Sequence, residues 1–274
     1  MRPVSILVHL DSSARSSLRL ALAARLAQAA QARLIGLYAA FEPDPAWYAM
    51  MEGAETYMAE DMARRDATRA RAEAAFHAAV DALPIASEWR QADGDAVTSA
   101  LREAREAELV VAGQTDPSEP EGYVGPQFLE SLILESGRPV LVVPCAGRFD
   151  TIGTRAIVAW NGSREAARAL HDAIPLLSGA QALLLCAGDL RASATPPAHA
   201  CRALALHGVQ AALERSPPLA DAGVGELLLS RAADFGADLI VMGAYGRGRM
   251  RELVLGGVTQ ALLSSMTVPV LMAH

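Results

Sequence analysis

Lysine is missing from this 274-residue sequence, and all 24 basic residues are arginine. Two chemistries are excluded at once, because a Walker-type phosphate loop needs a lysine on the phosphates and Schiff-base catalysis needs a lysine amine. Cysteine is nearly as scarce. Cys145, Cys186 and Cys201 form no C-x-x-C pair and no metal-ligand spacing, so a disulfide framework is set aside and free thiols are expected. His199, Cys201 and His207 lie close in sequence but match no usual zinc spacing, and their alanine-rich surroundings read as an ordinary helix. His9 sits in a strand-like run and reads as a satisfied core histidine rather than a base. No apolar run is long enough to cross a bilayer, and Met1-Arg2-Pro3 leads into a strand-like Val4 to Leu10 without a signal-peptide profile. A cytoplasmic location is expected, with no membrane partner. There is no G-x-S-x-G elbow, no H-E-x-x-H and no framed pair of carboxylates, so no catalytic residue and no metal are expected.

What the chain does have is core. It is 52% hydrophobic, and its length suffices for two ordinary domains. A net charge of −7 argues against a nucleic-acid partner. The charge is unevenly placed: the first 150 residues carry 14 Arg against 22 Asp and Glu, the remainder 10 against 9.

The two halves are nevertheless built alike. Glu108-Leu-Val-Val-Ala-Gly113 aligns with Asp238-Leu-Ile-Val-Met-Gly243, and Arg138-Pro-Val-Leu-Val-Val143 with Val268-Pro-Val-Leu-Met-Ala273, both at an offset of 130. Near the start of each half, Ile6-Leu-Val-His-Leu-Asp11-Ser-Ser13 aligns with Ala156-Ile-Val-Ala-Trp-Asn161-Gly-Ser163 at an offset of 150. The first half therefore carries about 20 extra residues, the difference of the two offsets.

Within each half short, continuous apolar runs alternate with helical patterns, which predicts an α/β fold with parallel strands buried on both faces. In the second half the strands fall at 155–160, 182–187, 209–214, 238–243 and 269–273. Ser163 is a candidate helix cap before Ala166, Ala169, Leu170, Ala173, Ile174 and Leu177. Ser13 repeats the role before Leu18, Ala21, Leu22 and Leu26. The short polar run Cys145 to Thr154 reads as a linker between domains at 1–147 and 154–274. The last strands, Val140 to Val143 and Val270 to Ala273, would be bare edges unless paired, and they are expected to meet within the chain as an internal pseudo-dimer.

The stretch Gly243-Ala-Tyr-Gly246-Arg-Gly-Arg-Met-Arg-Glu-Leu-Val-Leu-Gly256-Gly-Val-Thr259 joins the fourth strand to the last helix. Ligands of open parallel sheets bind beyond the carboxyl ends of strands near the topological switch point. Gly243 and Gly246 permit close backbone approach, and Gly256-Gly257 at a helix start leave amide protons unpaired, a site that takes anions without lysine. Thr259 adds a hydroxyl, and Arg247, Arg249 and Arg251 add positive charge. A plain turn with solvated arginines accounts for the same residues.

The spacing Gly-x2-Gly-x9-Gly, here Gly243, Gly246 and Gly256, between a buried strand and a Pro-Val-Leu strand resembles the universal stress protein family. The two halves resemble its tandem form, and "VAWNGSREAARAL" (158–170) its first strand and helix. The resemblance implies two tandem open parallel five-stranded sheets in the order 3-2-1-4-5, with helices on both faces, pairing through the last strands. In one subgroup it also implies ATP binding without a defined catalytic reaction. Carried over by position, it puts Ala159, Trp160 and Asn161 beside the nucleoside, Met242 and Gly243 under the nucleotide, and Gly246, Gly256, Gly257, Val258 and Thr259 around the phosphates. Trp160 reads equally as a core or surface aromatic. Gly257 stands where the family has Ser or Thr, which removes one hydroxyl contact.

In the first half, Asp116 and Pro126 occupy the positions of Gly246 and Gly256, and the loop carries Asp116, Glu119 and Glu121 without arginine. Carboxylates repel a phosphate and Pro126 lacks an amide donor, so no ATP site is expected there. The extra segment 41–65 holds Phe41, Trp47, Tyr48 and Tyr57 with Met50, Met51, Met58 and Met62. Packing of a long helix on its own sheet is the favoured account over a lid or docking surface. Two functions are expected in order: a stress-response regulator with one adenine-nucleotide site in the C-terminal half, or a nucleotide-free scaffold acting through a homodimer or protein partner.

Overall fold

The computed structural model describes residues 3–43, 46, 54–92, 94–119, 122–125, 127–188, 190, 194–217, 221–244 and 257–274. In the first half the elements are β1 (Ser5–Leu10), α1 (Ser16–Ala30), β2 (Arg33–Tyr38), α2 (Ala54–Val80), β3 (Ser87–Gln91), α3 (Ala96–Ala104), β4 (Leu109–Gly113), α4 (Phe128–Glu135) and β5 (Val140–Val143). The second half follows with β6 (Arg155–Ala159), α5 (Arg164–Ala173), a 3-10 turn (Ile174–Leu176), β7 (Gln181–Ala187), α6 (Pro197–Leu206) and β8 (Gln210–Ser216). It ends with α7 (Asp221–Phe235), β9 (Leu239–Gly243), α8 (Gly257–Ser265) and β10 (Val270–Ala273).

The strands form one continuous ten-stranded sheet in the order β3-β2-β1-β4-β5-β10-β9-β6-β7-β8. Each half is parallel and has the order 3-2-1-4-5; only β5 and β10, at the junction, are antiparallel. The expected meeting of the last strands is present: Leu141 lies opposite Leu271, its own repeat equivalent, while Val142 faces Val270 and Val140 faces Met272. Leu141 thus meets its own equivalent while Val140 and Val142 each meet the equivalent of the other, the register of an isologous two-fold interface made inside one chain. The pairing removes both bare edges at once.

Continuous apolar strands are what a sheet covered on both sides requires. In β1, Ile6, Val8 and Leu10 enter one core and Leu7 the other; β9 divides Leu239 and Val241 from Ile240 and Met242 in the same way. The first core is roofed by α1, α2, α5 and α6, the second by α3, α4, α7 and α8.

Three expectations need correction. Ser163 does cap α5, accepting from the Ala166 amide at 3.2 Å, but Ser13 caps nothing: α1 starts at Ser16, and the Ser13 hydroxyl is drawn to the charged Asp11 carboxylate. On α1 the expected Leu22 is buried and Leu26 packs against the core, but the rest of the buried apolar face is Leu20, Ala23, Ala24 and Ala27, and Leu18 and Ala21 are only half-buried. The packing account of segment 41–65 fails for Tyr57 and Met62, which are 49% and 56% exposed. A 27-residue helix spans about 40 Å, whereas the strands beneath it span about 20 Å, so α2 overhangs. Its core contacts come from Ala72, Phe76, Ala79 and Val80 near its other end. Trp47, Tyr48, Met50 and Met51 lie outside the described residues.

Candidate functional site

Each half has a switch point where its first and fourth strands run side by side and their connections depart in opposite directions. The two are built from equivalent residues and differ in what covers them.

In the first half, β1 delivers His9 and Asp11, both almost fully buried. The Asp11 carboxylate accepts from the Ser13 amide at 2.9 Å and from the Ser13 hydroxyl on one oxygen, and from Arg19 Nη2 at 2.8 Å on the other. Arg19, only 3% exposed, also donates through Nε to the His9 carbonyl at 2.6 Å. Its remaining nitrogen lies flat over Gly113, where any Cβ would overlap it. Burial pushes the Asp11 pKa up, but the charges of Arg19 and His9 and the two Ser13 hydrogen bonds together hold it below 3.8.

His9 meets the Ala39 carbonyl through Nε2 at 2.9 Å and packs on Phe128, with ring centroids 4.6 Å apart. It is the satisfied core histidine expected from sequence. Burial lowers its pKa from 6.5 to about 4, with Asp11 opposing and Arg19 assisting the shift. The unfolded chain therefore takes up this proton below about pH 6.5 and the folded chain only near pH 4. The stability tied to neutral His9 is complete above pH 6.5 and is lost as the pH falls toward 4, at about 1.4 kcal/mol per unit. Denaturant melts at pH 6.5 and 5 should show the wild-type chain losing about 2 kcal/mol more than His9→Gln. Equal losses in the two proteins would contradict a buried neutral imidazole.

The acidic loop after β4 is not left pointing at an empty cradle. Glu119 accepts the Ala14 amide at 2.6 Å, and Asp116 accepts the amide and hydroxyl of Ser118 at 2.9 and 2.6 Å. A carboxylate of the chain itself thus sits against the backbone just ahead of α1. Beside this loop lies a cavity of about 500 Å³, bounded by α1, the 114–125 loop, the start of α4 and the 144–149 linker. Sequence reasoning missed this cavity. The available signal was the second apolar pair on α1, Leu18 and Ala21, which line it.

In the second half the same first-strand turn is present, with Asn161 Oδ1 accepting the Ser163 amide at 3.0 Å as Asp11 accepts that of Ser13. Position 169, equivalent to Arg19, is alanine and brings no guanidinium over the floor. Instead the first turn of α5 sits directly on Gly243: a Cβ there would lie 2.5 Å from both the Ala166 nitrogen and the Glu165 carbonyl carbon. Asn161 and Gly257 are exposed, and Ala159, Gly243 and Val258 are half-buried. Met242 and Thr259 are buried, at 5% and 2% exposure. Trp160 is a core residue, 4% exposed, and its indole N–H donates to the Thr195 carbonyl at 3.0 Å. Gly246, Gly256, Arg247, Arg249 and Arg251 lie outside the described residues, which resume at Gly257 as the first residue of α8.

The halves touch near these sites through Gln114, the residue after Gly113. Its amide nitrogen donates to the Leu263 carbonyl of α8 at 2.7 Å, and its carbonyl oxygen accepts the Cys145 amide at 2.9 Å. Among the described residues, no His, Cys, Asp and Glu group could hold a metal ion, and no helix is long and apolar enough to cross a membrane.

The universal stress protein family model matches residues 5–144 and 219–274, which reach both switch points. The chain belongs to the universal stress protein family. Residues 145–218, outside that match, contribute β6, β7 and β8 to the same sheet order. The fold is shared with a universal stress protein from Archaeoglobus fulgidus DSM 4304 (17% identity, TM-score 0.67), with 98% of this chain and 95% of that one covered. It is also shared with a Pseudomonas aeruginosa PAO1 protein described as functionally unknown (16% identity, TM-score 0.53), with 99% and 92% covered. No curated protein matches the chain.

Proposed function

We propose that this universal stress protein is a regulatory module that binds one adenine nucleotide, with ATP the expected form, in the C-terminal unit at residues 154–274. In this reading the N-terminal unit, residues 1–147, is the degenerate partner, and signalling proceeds through protein surfaces rather than through catalysis. The observation that carries the proposal is the start of α8. Gly257 is exposed as the first residue of α8, the helix that follows β9, while Asn161 is exposed just after β6 and Ala159 and Gly243, the last residues of β6 and β9, are half-buried. The first amides of a helix and its dipole suit a polyphosphate, and Arg247, Arg249 and Arg251 precede it in sequence. Gly256, Val258 and Thr259 complete the proposed cradle with Gly246, with Met242 under the nucleotide and Trp160 beside the nucleoside. The missing hydroxyl at Gly257 weakens the site by about 0.5–1.5 kcal/mol without removing it.

Calorimetry with ATP should find one site per chain. Gly256→Val should weaken it by at least about tenfold, which is about 1.4 kcal/mol, while Asp116→Gly leaves it unchanged. Two sites per chain would reject the asymmetry. The contact of α5 with Gly243 favours a second reading, in which the covered floor makes the protein a nucleotide-free scaffold. That reading expects no heat with any adenine nucleotide and a defined homodimer or partner complex in sedimentation.

A further inference from the structure

We propose that the cavity in the N-terminal half is a binding site for a small amphipathic carboxylate, one apolar chain or ring bearing a single negative charge. At about 500 Å³ it falls within the range of small-molecule sites. Its apolar wall is made of side chains that a packed core would have used: Leu18 and Ala21 of α1, Phe128 of α4, Val143, and Phe149 of the linker. The equivalents of Leu18 and Ala21 in the second half are Arg168 and His171, so the apolar stripe belongs to this half alone.

Most of the carboxylates that line the cavity are held by hydrogen bonds within the protein. Asp11 is committed to Arg19 and Ser13, Asp116 to Ser118, and Glu119 to the Ala14 amide. Arg19 is committed to Asp11 and His9. Arg25 is different. One nitrogen donates to the Phe149 carbonyl at 2.6 Å and lies 3.6 Å from Asp150, while its Nε is buried without a hydrogen-bond partner among the described residues. The Arg25 side chain is 39% exposed, so a ligand carboxylate in the cavity can reach its outer guanidinium nitrogens. Arg15 and Arg25 both line the cavity, ten residues apart on the α1 side, which is about 15 Å along the axis. That length suits an extended medium-chain carboxylate anchored at Arg25. Asp116, Glu119 and Glu130 also line the cavity and repel a polyphosphate of several charges more strongly than a single carboxylate.

The test uses the full chain with decanoate as the probe, decanol as its neutral counterpart and ATP as a competitor. Calorimetry should show one saturable decanoate site, decanol binding about tenfold or more weaker, and no displacement by ATP. Arg25→Gln should bring decanoate down to the affinity of decanol, and Ala21→Phe should abolish binding with the circular dichroism spectrum unchanged. The proposal is overturned by the absence of saturable decanoate binding, by equal affinity for decanoate and decanol, or by binding that survives Ala21→Phe in the folded protein. The decanol comparison needs no variant, and ATP binding in the other half succeeds or fails independently of all three.

Discussion

Arg19→Leu should lower folding stability by about 3–5 kcal/mol, read from urea denaturation near pH 7. Arg19 and Asp11 are both nearly sealed from water, and removing one partner leaves the other as an uncompensated buried charge. The guanidinium also carries the His9 carbonyl and covers Gly113, so its loss leaves an acceptor unpaired and opens space over the fourth strand. The sign of the pH dependence separates this account from simple loss of packing. With Arg19 present, Asp11 titrates below 3.8 and its contribution is lost only as the pH falls through that low value. Without Arg19, burial dominates and raises the Asp11 pKa, so acidification relieves the buried charge. The gap between wild type and variant should therefore narrow as the pH is lowered toward 4, and adding Asp11→Asn to Arg19→Leu should recover a large part of the loss. A gap that stays constant with pH, or a double variant no better than the single one, would contradict the buried-charge account.

Much of the architecture was legible because it repeats. The offsets of 130 and 150 located the first, fourth and fifth strands of each half, and the doubled Pro-Val-Leu runs became β5 and β10, paired where bare edges demanded it. Strand identity was readable since burial on both faces leaves an uninterrupted apolar run, as in Leu109 to Ala112 and Leu239 to Met242. Surface relations were not readable in the same way. Whether Leu18 faces core or cavity depends on a rotation of α1 that its many alanines do not specify, since small residues are tolerated all round a helix. Ser13 read as a cap because Ser163 is one, yet the charge at Asp11, absent from Asn161, redirects its hydroxyl. Nothing in the sequence singled out Arg19. Only the proximity of Gly113, far along the chain from His9 and Asp11, turns it into a buried strut over the switch point. The acidic loop reads as hostile to phosphate, but nothing in the sequence showed the room beside it, which the linker residue Phe149 helps to wall.

Gly153→Ala is expected to cost about 2–5 kcal/mol, although sequence alone assigns Gly153 only to a polar linker. Two independent terms combine there. Its φ of +81° lies in the left-handed region, which costs a residue with a Cβ about 1–2 kcal/mol. In addition, an added Cβ would overlap the carbonyl oxygen of Leu176 in the 3-10 turn, and that backbone cannot step aside as a flexible side chain would. Forced overpacking of this kind costs about 1–3 kcal/mol. Gly137 separates the two terms, because its φ is +70° but a Cβ added there would meet nothing within 4 Å. Gly137→Ala should therefore show the conformational cost alone, and the excess at Gly153 measures the overlap. The excess matters for the whole second half because Asp238, at the foot of β9, accepts the amides of Gly153 at 2.9 Å, Thr154 at 3.0 Å and Arg155 at 3.1 Å. A displaced residue 153 loosens that grip just where the chain enters β6. If thermal or urea melts gave the same loss for Gly137→Ala and Gly153→Ala, the Leu176 contact would carry no energy.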